Sequence, residues 1–139
     1  MFILDTDTLS HLMYGRQQVL DRVGRATRDV VSTVVSRIEI LGGRFQAILA
    51  AEDSTKLLLA QDRLQRTETF LHDLLLMPFE VASASEFDRL RKIRTLNRIG
   101  RGDLLIASIT LANRATLVSR NLRDFRLVLP RHASCSLIE

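Results

Sequence analysis

Four short apolar runs punctuate the chain, at 2–4, 30–31, 77–79 and 116–118, and each is followed by polar or small residues, as buried strands are. Between them apolar positions recur every three or four residues, the spacing of helices with one inward face. After the first run, 8–14 and 17–26 place Leu9, Leu12, Val19, Leu20 and Val23 as a pair of short amphipathic helices would. The second run leads into a longer helix on which Val35, Ile38, Leu41, Phe45, Ile48 and Leu49 form the expected inward stripe, with Thr33 or Ser36 to cap it. Gly42-Gly43 inside that helix costs about 1 kcal/mol per glycine against alanine, so another backbone is expected to pass close by. Further helices are predicted over 56–76, 84–96 and 103–112.

Strand-helix alternation implies a parallel sheet covered by helices on both faces, a three-layer α/β sandwich of four or five mostly parallel strands. Ligands of such folds gather at the carboxyl ends of the strands. The 139 residues contain no low-complexity tract or Pro/Gly/Ser-rich linker, and their only prolines are Pro78 and Pro130, so one domain over 1–139 is expected.

Composition narrows the partners. The net charge is +4, and of the 20 basic residues all but Lys56 and Lys92 are arginines. Guanidinium forks bind phosphate oxygens bidentately, which suits a polyanionic partner. The single Cys135 excludes an intramolecular disulfide and fits a reducing, cytoplasmic setting. Uncharged stretches such as 104–113 fall short of the roughly 20 residues that cross a bilayer, and Met1 runs straight into apolar Phe2-Ile3-Leu4 without the basic start of a signal peptide. Neither a membrane span nor a leader is expected.

The candidate chemistry is acidic. Asp5 directly follows the first strand, which puts its carboxylate at the carboxyl edge of the sheet, either as a helix cap or as a ligand. Glu39 interrupts the apolar segment Val34-Val35-Ser36-Arg37-Ile38-Glu39-Ile40-Leu41 early in the helix after strand two, and Asp103 heads a helix after Gly100-Arg101-Gly102. Carboxylates gathered on one edge repel each other, so such a set usually carries a cation. His11, His72 and His132 have no ligand spacing for zinc, and hard oxygen donors favour Mg2+ or Mn2+.

Four blocks, in order, resemble the PIN-domain nucleases and, within them, the VapC-like toxin ribonucleases of type II toxin-antitoxin pairs. They are Phe2-Ile3-Leu4-Asp5-Thr6-Asp7-Thr8-Leu9, Thr33-Val34-Val35-Ser36-Arg37-Ile38-Glu39-Ile40, Ile99-Gly100-Arg101-Gly102-Asp103-Leu104-Leu105-Ile106-Ala107 and Leu117-Val118-Ser119-Arg120-Asn121-Leu122-Arg123-Asp124-Phe125. The resemblance spans essentially the whole chain. It implies Asp5, Glu39 and Asp103 as metal ligands, Thr6 and Ser119 as polar neighbours, and Mg2+ or Mn2+ as cofactor. It further implies an RNA substrate, a cognate antitoxin partner and a homodimer. Asp124 is the fourth candidate ligand, with Asn121 a neutral ligand or substrate contact. Asp7 stands where the family more often has asparagine, and either adds a carboxylate to the site or caps a helix.

Arginines crowd the stretch before Asp103. On one helix Arg91, Arg94, Arg98 and Arg101 would share a face, as a solvated surface or as a track for RNA phosphates. Two rivals stand beside the nuclease. Asp5-Thr6-Asp7-Thr8 also fits the first motif of haloacid-dehalogenase-like phosphatases, with Asp5 as nucleophile. A non-catalytic PIN-like module for RNA binding or dimerisation is the other.

Overall fold

In the computed structural model, which describes residues 1–15, 21, 24, 29–130 and 133–136, the first strand of the chain becomes the centre of its sheet. β1 (Phe2–Leu4) lies between β2 (Val30–Thr33) and β4 (Thr116–Ser119), while β3 (Leu76–Met77) extends the sheet beyond β2 and β5 (Ser134–Ser136) beyond β4. Every neighbouring pair is parallel, with Phe2 in register with Val30 and with Thr116, Ser32 with Leu76, and Leu117 with Ser134. The strands therefore number five and are wholly parallel among the described residues, where the sequence suggested four or five, mostly parallel. Ser134-Cys135-Ser136 carries no apolar run, so nothing local marks β5 before it pairs with β4.

The pleat sends alternate residues to opposite faces, and two cores result. Ile3 and Leu117 pack with Ile106, Ala107 and Ile109 of α5 (Arg101–Ala112) and Phe125 of α6 (Leu122–Phe125). Leu4 and Val118 turn the other way, against Leu9 of α1 (Thr6–Met13), Ile40 of α2 (Val34–Leu49) and Leu71 of α3 (Ser54–His72). Each such fully buried aliphatic side chain contributes roughly 1.5–3 kcal/mol. α4 (Val81–Arg91) covers α5, with Leu90, Leu96, Ile99 and Leu104 forming a third cluster.

Several expectations need correction. Apolar residues of α2 divide between two faces: Val35 and Ile40 are buried, whereas Ile38, Phe45 and Leu49 are exposed. Among the described residues a side chain built on Gly42 or Gly43 would meet nothing within 4 Å, so no described backbone passes close to either. The helix predicted over 84–96 stops at Arg91, and Arg94–Leu96 form a single 3-10 turn. Arg91, Arg94, Arg98 and Arg101 therefore do not share the face of one helix. Apart from Asp21 and Gly24, the helix predicted over 17–26 lies outside the described residues, as does His132.

Because all five strands run the same way, their carboxyl ends share one edge. β1 ends into Asp5, β2 into the start of α2, and β4 into Ser119.

Candidate metal centre

Asp5 is 4% exposed and uses both carboxylate oxygens. Oδ1 accepts the backbone N–H of Thr8 at 2.8 Å, which makes Asp5 the cap of α1, and Oδ2 accepts the hydroxyl of Ser119 at 2.5 Å. The cap reading is thus correct as far as it goes. A carboxylate has about four acceptor positions, so two bonds leave room for a further partner. Burial raises the pKa of Asp5, while the bonds from Ser119 and Thr8 oppose that rise. Ser119 is itself fixed, since its Oγ accepts the backbone N–H of Asn121 at 2.9 Å.

Glu39 reaches the same edge from the first turns of α2. Thr33 caps that helix by accepting the Ser36 N–H at 3.1 Å, which settles which of the two candidates caps it. Thr6 Oγ1 stands 3.1 Å from both Glu39 Oε1 and Ser36 Oγ. The carboxylate brings no proton, so Thr6 donates to Glu39 and accepts from Ser36. Glu39 also lies tight against α5, because a Cβ on Gly102 would come 2.8 Å from Glu39 Oε1.

Asp103 sits in the first turn of α5, partly buried. Its pKa is pushed up from 3.8 to about 6, first by burial and then by the negative charges of Asp5, Glu39 and Asp124. The side-chain amide of Asn121, beside Asp103, opposes this rise, and it donates to Asp124 Oδ2 at 3.2 Å. Among the described residues, no group of three or more His, Cys, Asp and Glu stands close enough to close around an ion as placed. Asp103 feels the charge of the other three without the set closing up, an all-oxygen group that suits a hydrated Mg2+ or Mn2+, since magnesium keeps several waters and takes only one or two carboxylates directly.

Asp7 adds its negative charge to the causes that raise the pKa of Asp5, but its side chain is held on the other side. Its exposed carboxylate neighbours His11 and Arg120 rather than Asp103. Of the arginines, Arg91 pairs with Asp88 at 3.1 Å and the Arg101 guanidinium lies 5.3 Å from the centre of the Phe87 ring, while Arg94 and Arg98 are exposed. Sequence reasoning passed over two contributors, Ser36 and Gly102. A glycine in the first turn of a helix, directly before an acid, was the available sign.

Neither a family model nor a curated protein matches the sequence. Solved structures do resemble the fold. One chain of VapBC2 from Rickettsia felis, bound to a DNA fragment from their promoter, has a TM-score of 0.75 at 21% identity over 97% of each chain. A chain of VapBC-1 from nontypeable Haemophilus influenzae gives 0.77 at 18% identity over 99% of this chain and 98% of that one. FitAcB from Neisseria gonorrhoeae gives 0.72 at 18% identity over 100% and 99%. The chain has the PIN-like α/β fold, and a chain of a toxin-antitoxin complex from Klebsiella pneumoniae also shares it, with a TM-score of 0.72 at 17% identity over 99% of this chain and 98% of that one.

Proposed function

We propose that this chain is a metal-dependent endoribonuclease and the toxin of a toxin-antitoxin pair. One observation carries the reading: Asp103 is driven toward its neutral form by burial and by three other carboxylates gathered at one sheet edge, an arrangement that a cation would relieve. In it Asp5, Glu39, Asp103 and Asp124 would hold the ion, one or two of them directly and the others through its waters. Bound there, Mg2+ or Mn2+ supplies a water of lowered pKa and stabilises the charge that develops on a phosphodiester.

The chain's own residues set the frame. Ser119 and the Thr8 N–H fix Asp5, Thr6 fixes Glu39, and Asn121 fixes Asp124, so three of the acids have a neutral hydrogen-bonding partner. Second partners of this kind orient ligands and set their basicity. Phosphatase chemistry at Asp5 would need a lysine. Lys56 instead pairs with Glu52 at 2.8 Å, and Lys92 ends α4.

The toxin role rests on the resemblance and on the structural neighbours, and it calls for a small antitoxin. Exposed Leu75, Phe79 and Val81, around edge strand β3, support self-association as a homodimer. Among the described residues no helix is long and apolar enough to cross a membrane.

The test is cleavage of single-stranded RNA in Mg2+. The parent should cut, while EDTA or Asp5→Asn should abolish cutting. RNA cleavage that persists in EDTA, or release of phosphate from a small phosphomonoester with a covalent adduct on Asp5, would overturn the proposal.

A further inference from the structure

Arg120 stands between the two residues that organise the acidic edge, Ser119 and Asn121, yet its own charge is held from another element. Its Nη1 lies 2.6 Å from His11 Nε2 and 3.6 Å from Asp7 Oδ2. A guanidinium only donates, so Nε2 is the acceptor and the ring proton sits on Nδ1. His11 Nε2 also lies 3.5 Å from Asp7 Oδ1, but two acceptors do not bond. Arg120 is therefore the group that both side chains address.

Asp7 and His11 are one turn apart on α1, the helix that Asp5 caps. One short helix thus fixes a carboxylate of the site at its start and grips an arginine on its exposed side. The Arg120 side chain is 46% exposed. With Nη1 turned inward, its Nε–Nη2 edge is the one suited to a bidentate hold on phosphate. Such a cation answers a specific difficulty, since an RNA backbone approaching four carboxylates is repelled by them.

We propose that Arg120 is an anchor for an RNA backbone phosphate at the rim of the acidic edge, with His11 and Asp7 as the positioning residues that aim it. The proposal rests on the nuclease reading and names how that site receives its substrate. It assigns Asp7 to the arginine rather than to the metal.

The test measures binding of a fluorescein-labelled, mixed-sequence single-stranded RNA at several salt concentrations, in the Asp103→Asn background, where bound RNA is not cut. Adding Arg120→Ala should weaken binding about tenfold and flatten the dependence of log affinity on log salt by about 0.7, the share of one phosphate contact on a single strand. Arg120→Gln, which keeps a donor for His11 without the charge, should flatten it equally and carries the test if the alanine variant does not fold. His11→Ala should give a partial loss that His11→Gln restores. Lys56→Ala, in the first turn of α3 where the lysine pairs with Glu52, should change neither quantity. Unchanged affinity and slope in both Arg120 variants would overturn the anchor, as would an equal loss in Lys56→Ala. If the parent cleaves RNA while the Arg120 variants bind normally, the anchor alone fails; if the parent neither binds nor cleaves RNA, the nuclease reading fails with it.

Discussion

Glu39 fills the space that a side chain on Gly102 would need: its Oε1 lies 2.8 Å from where a Cβ would stand. The relationship ties α2 to the first turn of α5 and brings Glu39 beside Asp103. Gly102→Ala should therefore push the Glu39 carboxylate away, which its flexible side chain allows at little cost to the fold. Alanine also favours the helix by up to about 1 kcal/mol over glycine. The expected outcome is a variant that melts no lower than the parent yet needs several-fold more Mg2+ for half-maximal cleavage. Equal metal requirements in the two proteins would show that the contact has no bearing on the site.

Ser119 and Asp5 make a second test. Both are buried, and the Ser119 hydroxyl is the partner of Asp5 Oδ2. Ser119→Ala leaves that oxygen without its donor, and an unsatisfied buried acceptor costs about 1–3 kcal/mol. Thermal unfolding without divalent ions should show a midpoint lowered by several degrees. The same deletion removes a bond that holds the pKa of Asp5 down, so cleavage should also lose activity on the acid side. A Ser119→Ala protein with unaltered melting and pH profile would contradict this reading.

Asp103 predicts an unusual pH response. Its folded-state pKa of about 6 lies above the ordinary 3.8, so the folded chain binds this proton more tightly than the unfolded chain. Its contribution to stability is then full below about pH 3.8 and is lost as pH rises through about 6. Without metal, Asp103→Asn should accordingly melt higher than the parent at pH 7, by a few degrees for an effect of order 1 kcal/mol. The gain should shrink at pH 5 and vanish in saturating Mg2+, where the ion neutralises the parent's repulsion. A lower midpoint for Asp103→Asn at pH 7 would mean that the carboxylate stabilises the empty protein.

Much of this was legible before the structure because it is local. An apolar strand followed at once by Asp5 places that carboxylate at the sheet edge, whatever surrounds it. The first turns of α2 and α5 do the same for Glu39 and Asp103. What was not legible depends on partners distant in sequence. Ser134-Cys135-Ser136 becomes a strand only by lying beside β4, and Ile38 and Leu49 have helical spacing but turn outward, away from the sheet. Periodicity cannot say which apolar face meets the sheet. The arginine face failed for another reason: Ile93 breaks from helical geometry before Arg94, so residues spaced correctly for one helix sit on two helices, a 3-10 turn and the turn that follows it. Asp7 was ambiguous in sequence because its companion Arg120 lies on the far side of the chain.

The most direct test of the central claim is Mn2+ binding to the purified protein, followed by calorimetry at neutral pH for the parent and for Asp5→Asn, Asp103→Asn and Lys56→Ala. If the acidic edge is a metal centre, the parent and Lys56→Ala bind with equal affinity, and each carboxylate substitution weakens binding by about tenfold or more. Equal Mn2+ affinity across all four proteins would contradict the account at its root.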